Sequence, residues 1–129
     1  MEELYEIGSS SDKTYVYAKA FRNPFTAELI LLLAKDIVRH GKKLGVLGCI
    51  IDVRGIVNVA SVAETYVFAN EKAKVVGLPC HWRYALILDY SDDSPGLIIE
   101  AFMQKAGYMF QIFEDEREAI DWLKGALSN

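Results

Sequence analysis

Between Leu44 and Val53 the chain is apolar or glycine at every position but one, the exception being Asp52. A strand with no polar face is buried on both sides, and such strands belong to parallel sheets with helices packed over them. Parallel neighbours are joined by long crossovers, usually helical. This one run therefore requires an α/β layer, with helices before and after it in sequence.

Those helices are marked by their ends. Asn23 and Pro24 suit an N-cap and a first helical position. The helix they open is expected to run to Arg39 or His40, with Gly41 just beyond its end. Ser61 and Glu64 have capping-box spacing. The helix behind them carries Val62, Tyr66, Ala69 and Ala73 at helical spacing and ends before Gly77. Ser94 and Pro95 repeat the N-cap and proline device, and Gly107 closes that helix. Asp115 to Glu118 resembles a further capping box, followed by Ala119, Ile120, Leu123 and Leu127 on one face. Strands fill the intervals: Glu3 to Gly8, Thr14 to Phe21, Leu44 to Val53, Trp82 to Asp89 and Tyr108 to Phe113. The first two flank the turn residues Ser9 to Asp12 and form an antiparallel hairpin. The order ββαβαβαβα predicts one domain over residues 1–129. Its fold class is α/β, a single mixed, mostly parallel five-stranded sheet with right-handed crossovers.

Bulk properties narrow the function. The chain has 129 residues and 52% hydrophobic content, enough to bury a core without disulfides or metal. A net charge of −4 disfavours nucleic acid and anionic membrane as partners. The densest basic group, Arg39, His40, Lys42 and Lys43, falls at a helix end, where it offsets the dipole. Cys49 and Cys80 form no C-x-x-C pair and read as reduced thiols of a cytoplasmic protein. The acidic start lacks the basic region of a secretory signal, and the longest apolar run, 29–34, is too short to span a bilayer. No nucleic-acid partner, integral membrane segment, metal or cofactor is expected. The edge hairpin leaves backbone groups that a second copy can cover, so the chain is open to homo-oligomerisation.

Three stretches then resemble a known family. They are Gly48 to Ile56, an apolar strand ending in Asp52 with Gly55 behind it; Ser61 at the next helix start; and Tyr84 to Tyr90 with Phe102 to Gly107 and Phe110 to Leu123. Together they resemble the STAS and SpoIIAA-like proteins, which include bacterial anti-sigma factor antagonists. The last stretch is similar to the SpoIIAA-like branch, whose final helix ends in Ala-x-x-Trp-Leu. The resemblance implies a STAS-type fold and a domain that switches protein partners or binds small ligands such as nucleotides and lipids, not an enzyme. The anti-sigma antagonists carry Asp-Ser-Ser-Gly at the key helix start, whereas this chain reads Val59, Ala60, Ser61, Val62. The branch also resembles the CRAL-TRIO type of lipid-binding domain.

In open α/β sheets, ligands sit outside the carboxyl ends of the strands. That rule selects Phe21, Arg22 and Asn23 after the second strand; Asp52, Arg54, Asn58 and Ser61 after the third; Asp89, Tyr90, Ser91, Asp92 and Asp93 after the fourth; and Glu114 and Asp115 after the last. Asp52, Arg54, Asn58, Ser61, Asp89 and Tyr90 are the candidate ligand- or partner-binding residues. Arg54 is the best anion contact, because its planar fork matches phosphate or carboxylate. Ser61 is either a helix cap or a phosphoacceptor. Three functions follow: a regulatory or ligand-binding domain taking a protein partner or a small anionic or lipophilic ligand; a CRAL-TRIO-like binder with a large apolar cavity under its last two helices; or a small enzyme using the strand-end carboxylates.

Overall fold

Hairpin, crossovers and caps produce five strands and their helices in a computed structural model that describes residues 4–21, 24–90 and 93–125. Strands β1 (Tyr5–Ser9) and β2 (Val16–Ala20) form the hairpin. Helix α1 (Ala27–Leu44) leads to β3 (Gly48–Asp52). Helix α2 (Val62–Val67), a π-helical turn (Phe68–Lys72) and α3 (Ala73–Val76) run on as one rod to β4 (Arg83–Ile87). Helix α4 (Ser94–Lys105), β5 (Met109–Phe113) and α5 (Glu116–Gly125) complete the chain.

The sheet order is β1-β2-β3-β4-β5, antiparallel in the hairpin and parallel thereafter. Each crossover steps one strand further in the same direction, and the helices between strands pack on one face. Val16, Ala18, Cys49, Tyr84, Leu86 and Phe110 pack there against α1 to α4. Alternate residues point the other way. Ile50, Ala85, Ile87 and Phe113 meet Ala119 and Leu123 of α5, which covers the second face. Arg83 holds the far end of α5 by donating to the Trp122 carbonyl at 2.6 Å, with its guanidinium 5.1 Å from that ring's centroid. Cys49 and Cys80 are free thiols, the first buried and the second exposed.

Four local expectations are corrected. Helix α1 starts at Thr26, whose hydroxyl accepts from the Leu29 N–H at 3.1 Å. Pro24 precedes it, because Phe25 is drawn into a bridge with the 57–59 backbone: its N–H donates to Val57 and its carbonyl accepts from Val59. The same helix runs through Gly41 and stops at Gly45, which takes the left-handed conformation at φ 72°. Gly41 serves close approach instead: a Cβ there would lie 2.2 Å from the Trp82 ring. Asp93, not Ser94, caps α4, accepting from the Gly96 N–H. Finally, the rod over 62–76 buries Thr65, Phe68, Ala69 and Ala73 and leaves Val62 and Tyr66 exposed, Tyr66 edge-on to Phe102. Of the four residues at constant helical spacing, Ala69 and Ala73 are therefore buried, and Val62 and Tyr66, ahead of the π turn, are not. Expectations at Glu3, Arg22, Asn23, Ser91, Asp92 and Leu127 lie outside the described residues.

Candidate functional site

Strand alternation places Asp52 on the α5 face, two residues beyond Ile50, with a side chain only 1% exposed. A carboxylate in an apolar layer must be paired there. The parallel register sets Lys19 of β2 directly beside it, and Lys19 Nζ donates to Asp52 Oδ2 at 3.3 Å. Two residues on, the chain turns and Arg54 folds back. Its Nε reaches Oδ1 at 3.0 Å, a terminal nitrogen reaches Oδ2 at 2.8 Å, and its backbone N–H reaches Oδ1 at 3.1 Å. The Tyr17 hydroxyl donates to Oδ2 at 3.2 Å. One buried carboxylate thus gathers two cations and a phenol at the carboxyl edge of the sheet.

The electrostatics follow from that crowding. Burial alone raises the Asp52 carboxyl, but the Arg54 bonds and Lys19 outweigh it and bring it down to about 2. Arg54 is pushed above its ordinary value, chiefly by its bonds to Asp52, and Tyr17 is raised by burial first and the nearby carboxylates second. Glu116, at the start of α5, is close enough to act on both. The two cations remain open to solvent, Lys19 at 44% and Arg54 at 39% side-chain exposure. Of the five guanidinium N–H groups two are used on Asp52, and of the three ammonium N–H groups one is. Among the described residues, the rest meet no acceptor.

The other candidate residues hold loops. The Asp89 carboxylate accepts from the Gly55 N–H at 2.7 Å, pinning the turn that carries Arg54. Asn58 accepts from the Ala60 N–H at 2.9 Å. Ser61 closes a complete capping box, its hydroxyl accepting from the Glu64 N–H while the Glu64 carboxylate accepts from the Ser61 N–H. Tyr90 is 69% exposed. Asp115 accepts from the Arg117 N–H at the start of α5. So Asp52 and Arg54 come together, Asp89 supports them through Gly55, and Asn58 and Ser61 are engaged with their own loop and helix. Lys19 and Tyr17 are the additions. A lysine alternating with Ala18 and Ala20 signals that the strand end has a polar task, but only the register shows that the task is Asp52.

No family model and no curated protein matches the chain. One solved structure does: a protein of the DUF3478 family with a SpoIIAA-like fold from Shewanella loihica PV-4, 21% identical, covering 92% of this chain and 91% of that one, with a TM-score of 0.58. The chain has a SpoIIAA-like fold. That SpoIIAA-like arrangement, one mixed and mostly parallel sheet with helices between its strands, is the one the Asp52, Ser61 and Phe110 to Leu123 stretches imply. That neighbour is itself described as uncharacterised, so the likeness concerns architecture. Among the described residues, no helix is long and apolar enough to cross a membrane.

Proposed function

We propose that the chain is a ligand-binding regulatory domain that recognises an anionic group, a phosphate or carboxylate, at the carboxyl edge of β2 and β3. The carrying observation is the pair of half-exposed cations clamped by Asp52. Arg54 and Lys19 are fixed in place with spare donors facing solvent, and a preorganised cation costs less to order on binding than a free one. Binding without turnover is favoured because the strand-end carboxylates are committed to structure. Asp52 pairs with two cations, Asp89 holds a turn, and Asp93 and Asp115 cap helices. A lipid-sized ligand held inside the fold is disfavoured. A small-molecule cavity spans several hundred Å³, whereas the apolar space under α1, the π turn and α4 measures about 50 Å³.

Calorimetric titration with pyrophosphate and with citrate at low ionic strength tests the proposal. Saturable binding should weaken about tenfold or more in Arg54→Ala, the loss of a charge-assisted contact. Glu116→Gln removes a repelling charge and should strengthen binding by about twofold to fivefold. Equal affinity in wild type and Arg54→Ala, or no heat with either anion, contradicts it.

A further inference from the structure

The two edges of the sheet are finished differently. On the outer edge of β5 the Phe110 carbonyl accepts from the Gln104 side chain at 2.8 Å, and the Ile112 N–H donates to the Glu100 carboxylate at 2.9 Å. Side chains of α4 thus occupy the positions that a further strand would take. Native sheets blunt their edges because unpaired backbone groups template pairing with another chain. Strand β1 lacks such cover. The Phe21 N–H donates to the Leu4 carbonyl and the Ser10 N–H to the Tyr15 carbonyl. Alternation along the register between those pairs gives Leu4, Glu6, Gly8 and Ser10 to β2. Tyr5, Ile7 and Ser9 therefore aim their N–H and carbonyl groups outward, and among the described residues nothing meets them. The strand also holds no proline, lysine or bulge. A row of alternating donors and acceptors at strand spacing matches one kind of occupant, another extended backbone.

A second copy of β1 fits that row. Set antiparallel about a two-fold axis at Ile7, Ile7 faces Ile7 of the copy and Tyr5 faces its Ser9, so all three outward residues are paired. On the opposite face Glu6 meets Gly8 of the copy, which has open space around it, and no like charges oppose each other. Tyr5 and Ile7, already packed in part against the α1 layer, gain cover on their outer side. The helices above agree. Helix α1 links two parallel strands, so it runs against β2 and along β1. The Tyr5 hydroxyl donates to the Asp36 carboxylate, which places that flank of α1 over β1. Ile7 lies two residues further at about 3.3 Å each, which is about four helical residues at 1.5 Å each, near His40. About an axis there, the two copies of α1 pass antiparallel, and the Asp36 turn of one faces the Lys43 turn of the other. Both residues share that flank by helical spacing, and Lys43 is exposed. The charge pattern is thus complementary to itself, which selects a copy of this chain over a foreign strand.

We propose that β1 is a homodimer interface, through which two copies join antiparallel over Tyr5 to Ser9 and make one continuous sheet. The interface is separate from the anion site and stands or falls independently of it. Sedimentation equilibrium of the full chain should show a reversible monomer–dimer equilibrium. Ile7→Pro removes an outward N–H and leaves every β1–β2 bond in place, at the kind of edge position where proline is tolerated. It should weaken the dimer about tenfold or more. Lys43→Glu sets like charges across the axis and should weaken it about threefold or more. Cross-linking reads the register without relying on the proline variant. In a Cys80→Ser background, Ile7→Cys should oxidise to an intermolecular disulfide, because facing Cα atoms of a hydrogen-bonded antiparallel pair lie about 5.5 Å apart. Gly8→Cys, which does not face its own copy, should cross-link several-fold less. A monomer at every concentration, leaving the edge to a strand of some other protein, overturns the proposal. So does a dimer that Ile7→Pro does not weaken, or equal cross-linking at positions 7 and 8.

Discussion

Asp52 shows how a single residue can have opposite meanings at two distances. In sequence it is the last polar interruption of a buried strand; in the fold it is the counterion that fixes Arg54 and Lys19. Its depressed carboxyl has a consequence in acid. A carboxylate held lower in the folded state than its unfolded value of about 3.9 contributes stability above that value and loses it as pH falls toward the folded value. The window here is from about 4 down to about 2. Chemical denaturation across that range should show a loss of stability that Asp52→Asn reduces, the remainder coming from Asp12, which Lys124, Ser10 and Thr14 also hold below its ordinary value; an unchanged acid slope in the variant would place the titration elsewhere. At neutral pH the same substitution should cost about 1–3 kcal/mol, because half-exposed cations can recover water when their partner is lost.

Elements were legible where the signal was chemical and local, and less so where it depended on a neighbour. The Ser61–Glu64 capping box is present as its spacing requires, since both partners lie within one turn. Ser61→Ala should therefore destabilise the protein by about 1 kcal/mol in thermal melts and leave pyrophosphate affinity unaltered. A change in affinity without a change in stability would give Ser61 a ligand role instead. Gly41 shows the other case. A glycine after a basic, polar helix end has the composition of a stop signal, yet the decisive contact comes from Trp82, 41 residues away. Gly41→Ala gains helix propensity of at most about 1 kcal/mol but forces a Cβ into the indole. The net should be a loss of about 1–2 kcal/mol, measured by denaturant titration. Gly8→Ala, with open space around it, should shift stability by about 0.5 kcal/mol or less. The π turn was also illegible: nothing in Phe68 to Lys72 breaks an α pattern.

At the scale of the molecule, topology decides what the residues can do together. The chain order of strands is also their spatial order, so three crossover helices share one face and α5 covers the other. That asymmetry puts Asp52 and its cations at the α5 side. Strand number, direction and helix order could be read from the buried run at Leu44 to Val53 and the caps around it. The pairing of Lys19 with Asp52 could not, because it depends on parallel register between strands about thirty residues apart, which no local pattern encodes. The most direct measurement is an amide NMR titration of the intact protein with inorganic phosphate at low salt. The expected result is saturable shifts clustered at Lys19 and at Asp52 to Gly55, absent from Arg54→Ala. Shifts scattered over the surface, or the same cluster persisting in Arg54→Ala, would contradict the assignment of this edge as the anion site.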